Sequence, residues 1–355
     1  MREDEANKKM GRWVHLVNYS ILGSFILVFI FLEKLYGGSG AENFVVFYVK
    51  SVFEPLKDWL LWFLSATGLY FLLIIFAGIL SFIVGGAVRQ HDPVAKLKNL
   101  ARGEKLRFFM AGIKNFLIFA GPPTLSLFVL SLILGQIDVL NASRLQDNFL
   151  LSWDKWLTGK HLFISLANTN FPSWFLESTI FSFGILPVAV MVFGFVAAEY
   201  RLEMFKKFTA AFSLALLIML TIWISLPALS PQDGFIDNVY TLPISTEIKT
   251  ELTTYDPPKE IKEFLASVRE RKGGLGGVMP TPTFPSAHVT WGILALIYAF
   301  RAKKLWGWIL LPLVALSTFG TNLLAQHYFV DILGGIAVAV VAVVLVDIGT
   351  KQRKI

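Results

Sequence analysis

The chain has no cysteine at all. No disulfide can staple it, no thiolate can serve as a nucleophile and no cysteine-ligated zinc can form, so three chemistries are excluded at once. Charge is scarce as well: Asp, Glu, Lys and Arg make up 16% of the residues, against about 25% in soluble domains. Internal repeats and low-complexity stretches are missing, which excludes solenoid arrays and long linkers. Polar sequence of any length is confined to one insert, Ser230 to Thr283.

Apolar sequence is what the chain has in quantity, with 55% hydrophobic and 14% aromatic residues. Eight apolar windows are long enough to be spans: Trp13–Leu32, Trp59–Val84, Ile113–Leu134, Trp174–Ala198, Thr209–Leu229, Ser286–Phe300, Leu305–Ala325 and Phe329–Ile348. The expected fold is all-α, a polytopic transmembrane helical bundle of about eight spans. Residues 1–112 are expected to hold a cytoplasmic tail, two accessory spans and a basic loop. Residues 113–355 hold a six-helix catalytic core with the outer loop 230–283. Met1 to Arg12 carries charges of both signs before an apolar run too long for a signal-peptide core, and reads as a retained tail.

Basic residues divide unevenly between the two sides of these spans. Arg2, Lys8, Lys9 and Arg12, the cluster from Arg89 to Lys114, then Arg201, Lys206, Lys207, Arg301, Lys303, Lys304, Lys351, Arg353 and Lys354 fall on one side, and far fewer fall in the short loops opposite. The positive-inside rule makes the former side cytoplasmic, termini included. The net charge of +7 is explained by these loops, with no case for nucleic acid. Both the segment before His288 and the turn at His327 are thereby placed on the outer face.

Several features have structural readings of their own. Pro122, Pro123 and Pro187 are expected to kink their helices. The stretch Trp153–Phe163 suits a short helix lying in the interface, with His161 as a surface or interfacial histidine. Within the polar insert, Ile261, Phe264, Leu265 and Val268 share a helical face that is expected to lie on the membrane, offering Lys262, Arg269 and Arg271 to head groups. Lys272–Gly277, K-G-G-L-G-G, lacks the Gly-Lys-Ser/Thr ending of a nucleotide loop and reads as a hinge or lid.

Chemistry concentrates at two histidines. His327 and Asp331 are spaced i, i+4, so a helix would hold carboxylate and imidazole on one face, fixing the tautomer and leaving the other ring nitrogen basic. Pro285 and Ser286 open the sixth span with His288 in its first turn, where free backbone N–H groups and the helix dipole favour an anion. Ser286 with that helix end is suited to hold a phosphate, His288 to protonate a leaving oxygen and His327 to attack phosphorus. One rival uses the same residues, a metal site of His288, His327 and Asp331, and a second, a transporter, rests on the prolines and charged residues that also mark transport paths.

P-S-x-H at Pro285, Ser286 and His288, together with H-x-x-x-D at His327 and Asp331, resembles the second and third motifs of the type-2 phosphatidic acid phosphatase superfamily. The resemblance covers the spans from Ile113 onward. It implies a metal-independent, cofactor-free mechanism through a phosphohistidine, with His327 as nucleophile and His288 as acid. Gly320 and Thr321 stand where the phosphatase branch has Ser-Arg, and no K-x-x-x-x-x-x-R-P motif is present. The H-Y-F-V-D run from His327 is more similar to the inositol phosphorylceramide synthase branch. By this resemblance Arg269 and Arg271 replace the missing phosphate-binding cations. The substrate is then a lipid phosphate or phospholipid, and the acceptor a polyol or lipid alcohol such as inositol. Hydrolysis of a lipid phosphate is the alternative, and the plasma membrane is the expected location.

Overall fold

Away from water every backbone N–H and C=O needs a partner within the chain, so long apolar windows fold as helices. The computed structural model describes residues 2–36, 102–141, 145–237, 242, 245–273 and 282–351. These form α1 (Arg2–Tyr36), α2 (Arg102–Asn141), α3 (Asp147–Thr158), α4 (Leu162–Ala167), α5 (Ser173–Tyr200), α6 (Leu202–Ser225), α7 (Thr246–Thr253), α8 (Lys259–Gly273), α9 (Ala287–Ala302), α10 (Lys304–Leu323) and α11 (Phe329–Lys351). A π-helical turn covers Gln232–Ile236, and there is no strand among the described residues.

Lys9–Leu32 of α1 and the whole of α5, α6, α10 and α11 are long and apolar enough to cross a membrane. They coincide with five of the expected spans. Ile113–Leu134 lies within α2, and Trp59–Val84 lies outside the described residues. Pro122, Pro123, Pro187 and also Pro312 sit inside helices that continue past them. Residues 1–35 and 115–355 make one compact unit and residues 36–114 another.

The shortest helix of the apolar bundle stands at its centre. α9 has 16 residues, about 24 Å at 1.5 Å per residue, and α5, α6, α10 and α11 all pack against it. Its Leu294, Ala295, Tyr298 and Ala299 are fully buried, while Met191, Trp308, Ile309, Val340 and Val344 on the surrounding helices stay exposed. An apolar outer face suits a lipid solvent, where association comes from close packing instead of from escape from water. The turns at Arg201 and Lys303 and the end of α11 lie at one end of this bundle. The starts of α5, α9 and α11, with α3, α4, α7 and α8, lie at the other.

Two expectations about that second end are corrected. The apolar face of α8 packs on protein: Ile261 and Leu265 are buried with Leu176, Leu323 and Leu324. Helical periodicity reveals an apolar face but not what covers it. His161 is not at the surface but 3% exposed, with Nδ1 2.6 Å from Glu251 Oε2 of α7.

α11 approaches α9 at a pair of glycines. A Cβ on Gly335 would stand 2.7 Å from the Ser286 carbonyl oxygen and 3.1 Å from Val289 Cβ, and one on Gly334 would stand 3.0 Å from Phe284 and Pro285. The Thr290 hydroxyl reaches across this seam toward the Gly335 carbonyl at 3.1 Å. Gly→Ala inside a helix ordinarily gains about 1 kcal/mol, and Gly184→Ala, with nothing within 4 Å, is expected to raise the thermal midpoint. Gly335→Ala is expected to lower it. Differential scanning fluorimetry in one detergent checks the pair, and an equal rise in both variants would refute the close approach.

Candidate functional site

The turn between α10 and α11 is built almost entirely from backbone hydrogen bonds. Gln326 and His327 N–H groups both reach the Thr321 carbonyl at 2.9 Å, and Ala325 adopts a left-handed φ of 51°. Alanine at such a position is uncommon, and here its methyl is buried in the core beneath α3. Asn322 Nδ2 donates to the His327 carbonyl at 3.0 Å. His327 is thereby held just before α11, outside the helix.

That placement changes how the i, i+4 pair is made. His327 and Asp331 do not share a helical face. Asp331 sits three residues into α11, and its Oδ2 folds back to accept the Tyr328 N–H at 3.0 Å, as the third residue of a capping box does. The same oxygen lies 3.2 Å from His327 Nδ1. One carboxylate oxygen therefore caps the helix and faces the imidazole at Nδ1, turning Nε2 away from Asp331. Burial pushes the His327 imidazole down to about 3, against the Thr283 carbonyl, whose hydrogen bond works the other way. The ring is neutral at physiological pH, and its lone pair is available for attack.

α9 delivers the second histidine. Ser286 caps the helix, its Oγ accepting the Val289 N–H at 3.3 Å, and its own N–H donates to the Asp331 carbonyl at 3.1 Å. Trp223 Nε1 donates to the Pro285 carbonyl at 3.2 Å, fixing the approach to the cap. Ala287 and His288 follow as the first helical residues, whose N–H groups have no intrahelical acceptor. His288 stacks on Phe183 at 4.3 Å, its Nε2 lies 2.9 Å from Ser317 Oγ, and His327 is its neighbour. The structure thus brings together His288, His327, Asp331 and Ser286. Phe183 is ten residues into α5 and Ser317 six from the end of α10, so His288 lies about 15 Å and about 9 Å below those helix ends at 1.5 Å per residue. The site is recessed into the bundle.

Arg269 is elsewhere engaged. It is paired with Asp237, which accepts from Gln232 Nε2 at 3.1 Å, and Gln232 Oε1 in turn accepts from Gln326 Nε2 at 2.8 Å. A polar chain therefore connects Arg269 to the residue next to His327. The Arg271 side chain lies outside the described residues. Among the described residues no three His, Asp or Glu side chains are grouped as around a metal ion.

Sequence reasoning passed over two acids. Asp154 of α3 is completely buried, and its two oxygens accept the Phe329 and Val330 N–H groups at 2.8 Å each. Asp147, one turn pair earlier on the same face, accepts the Tyr328 hydroxyl and the Leu229 N–H, each at 2.9 Å. The available signal was position: Asp147, Leu150, Leu151 and Asp154 form the buried stripe of α3, where a charged residue needs a partner. Burial raises Asp147 to about 7 despite these donors, and raises Asp154 to about 6 against its two backbone donors.

A family model described as the PAP2 superfamily matches residues 148–345, more than half of the chain and inclusive of every site residue named above except Asp147. No curated protein and no solved structure matches. Nothing in these comparisons singles out the inositol phosphorylceramide synthase branch.

Asp147 and Asp154 retain protons in the folded chain that the unfolded chain releases near 3.8. The folded state binds more protons between about pH 4 and about pH 7, so stability falls as pH rises through that window. The thermal midpoint is expected to be lower at about pH 7.5 than at about pH 5. Asp147→Asn, which keeps an acceptor and cannot ionise, is expected to flatten the upper part of the fall; an unchanged slope would show that Asp147 does not titrate there.

Proposed function

The chain belongs to the PAP2 superfamily, and on that premise we propose that it is a membrane-embedded enzyme that cleaves a lipid phosphoester through a phosphohistidine at His327. The observation that carries this is the placement of His327 Nδ1 3.2 Å from Asp331 Oδ2, with Nε2 turned away from the carboxylate and the ring neutral. In this reading Nε2 attacks phosphorus, the bond to the leaving oxygen breaks, and His288 supplies the proton that oxygen needs. Water then attacks the phosphohistidine and returns a proton to His288. The free N–H groups at the start of α9, with Ser286, stabilise the non-bridging oxygens. Arg269 and Arg271 are the further phosphate-binding candidates, and Arg269 must leave Asp237 to serve.

Transfer of the phospho-group to an alcohol such as inositol uses the same first step and differs only in what resolves the intermediate. The similarity of His327–Asp331 to the synthase branch, and Gly320 and Thr321 in place of Ser-Arg, favour that acceptor. The charge distribution of the loops supports an outer-face site with cytoplasmic termini.

Brief incubation with a radiolabelled lipid phosphate is expected to leave an acid-labile label on the wild-type protein and none on His327→Ala, whose turnover should fall by at least about a thousandfold. Full activity in that variant would refute the nucleophile. Release of inorganic phosphate without any added alcohol would refute obligatory transfer. Because the chain lacks cysteine, single cysteines report topology without background. Lys249→Cys at the site end is expected to react with an impermeant maleimide on intact cells, and Lys351→Cys only after lysis. The opposite pattern would invert the orientation.

A further inference from the structure

The acid assigned to His288 has no free ring nitrogen. Nε2 faces Ser317 Oγ at 2.9 Å, and the Phe183 backbone carbonyl accepts a hydrogen bond from the ring, which with Nε2 occupied falls to Nδ1. Stacking on the Phe183 ring, 21° from parallel, holds the imidazole in that plane. A proton bound for a leaving oxygen must therefore depart through one of these two partners. A carbonyl only accepts, whereas a hydroxyl accepts and donates at once.

Ser317 is placed unlike most other helical hydroxyls of this protein. Serines and threonines in apolar helices usually bond the carbonyl one turn back, as Ser24, Thr124, Ser178, Thr221, Ser225 and Thr350 do. Ser317 is fully buried in α10, and among the described residues its one hydrogen bond is to His288. Its hydroxyl proton is not committed to its own helix.

We propose that Ser317 is a catalytic residue that relays the proton from His288 to the leaving oxygen. This rests on His288 being the acid of the proposed reaction. As His327 Nε2 bonds to phosphorus and the bond to the leaving oxygen breaks, that oxygen takes the proton of the Ser317 hydroxyl. Ser317 simultaneously takes the Nε2 proton of the His288 imidazolium, a state favoured by an anionic phosphate nearby. The step ends with phospho-His327, a protonated leaving alcohol, a neutral His288 and an unchanged serine. Hydrolysis runs the relay backwards: water gives its proton to Ser317 as Ser317 returns one to His288.

Leaving-group dependence tests this, using the full-length protein in detergent with two probes. Dioctanoyl phosphatidate leaves as an alcohol that needs a proton; p-nitrophenyl phosphate leaves as a stable phenolate that does not. Ser317→Ala is expected to lose at least about thirtyfold in kcat on phosphatidate and less than about threefold on the aryl ester, in line with the size of general-acid effects. The ratio of the two rates does not depend on how much protein is folded. Ser317→Thr, which keeps the hydroxyl, is expected to restore most of the ratio. His288→Ala run in parallel separates the two readings. A selective loss on phosphatidate in His288→Ala with an unchanged ratio in Ser317→Ala overturns the relay and leaves the acid standing. An unchanged ratio in His288→Ala overturns the acid itself.

Discussion

Two amide N–H groups at the start of α11 meet the two oxygens of Asp154, and the turn that carries His327 hangs from that joint. An ionised carboxylate in a buried position is costly unless its oxygens are bonded, and a helix start in a dry environment is costly unless its amides are. Each defect cures the other here. The arrangement also divides the two helix starts that converge at the site. The dipole end of α11 is occupied by the protein's own carboxylate, while that of α9, capped only by the neutral hydroxyl of Ser286, is left for an anion from outside.

The bundle below serves this geometry. A short α9 enclosed by four longer helices sets His288 beneath their ends, against the third turn of α5 and the interior of α10. The glycine pair on α11 then lets the Pro285–Ser286 cap lie directly on the helix that carries Asp331. His288 comes from α9, Asp331 from α11 and His327 from the turn before it, and their relative position depends on contact at this seam.

Much of this was legible beforehand, to different depths. The spans are visible because length and hydropathy are local properties, and the two histidines because Pro-Ser and an i+4 carboxylate flank them. The geometry of the His327–Asp331 pair was not visible: the same spacing serves a helical face or a cap that folds back, and only the position of the helix start decides. Asp154 and Ser317 were hidden for another reason. Their partners lie far away in sequence, and a serine in an apolar run has the ordinary alternative of bonding its own backbone. The apolar face of α8 was identified and its covering was mistaken, since lipid and protein interior make the same demand on a helix.

The joint at Asp154 also has a bearing on the order in which the chain is made. Asp154 and the amide of Phe329 are 175 positions apart, and Asp147 and the Tyr328 hydroxyl 181. During synthesis α3 emerges with both carboxylates exposed and able to stay hydrated, while five of the later helices are still to be inserted. Only when the last of them leaves the translocon can the carboxylates be buried. The site is therefore closed only once α11 is in place, and a chain arrested before α11 leaves the two carboxylates of α3 without these partners.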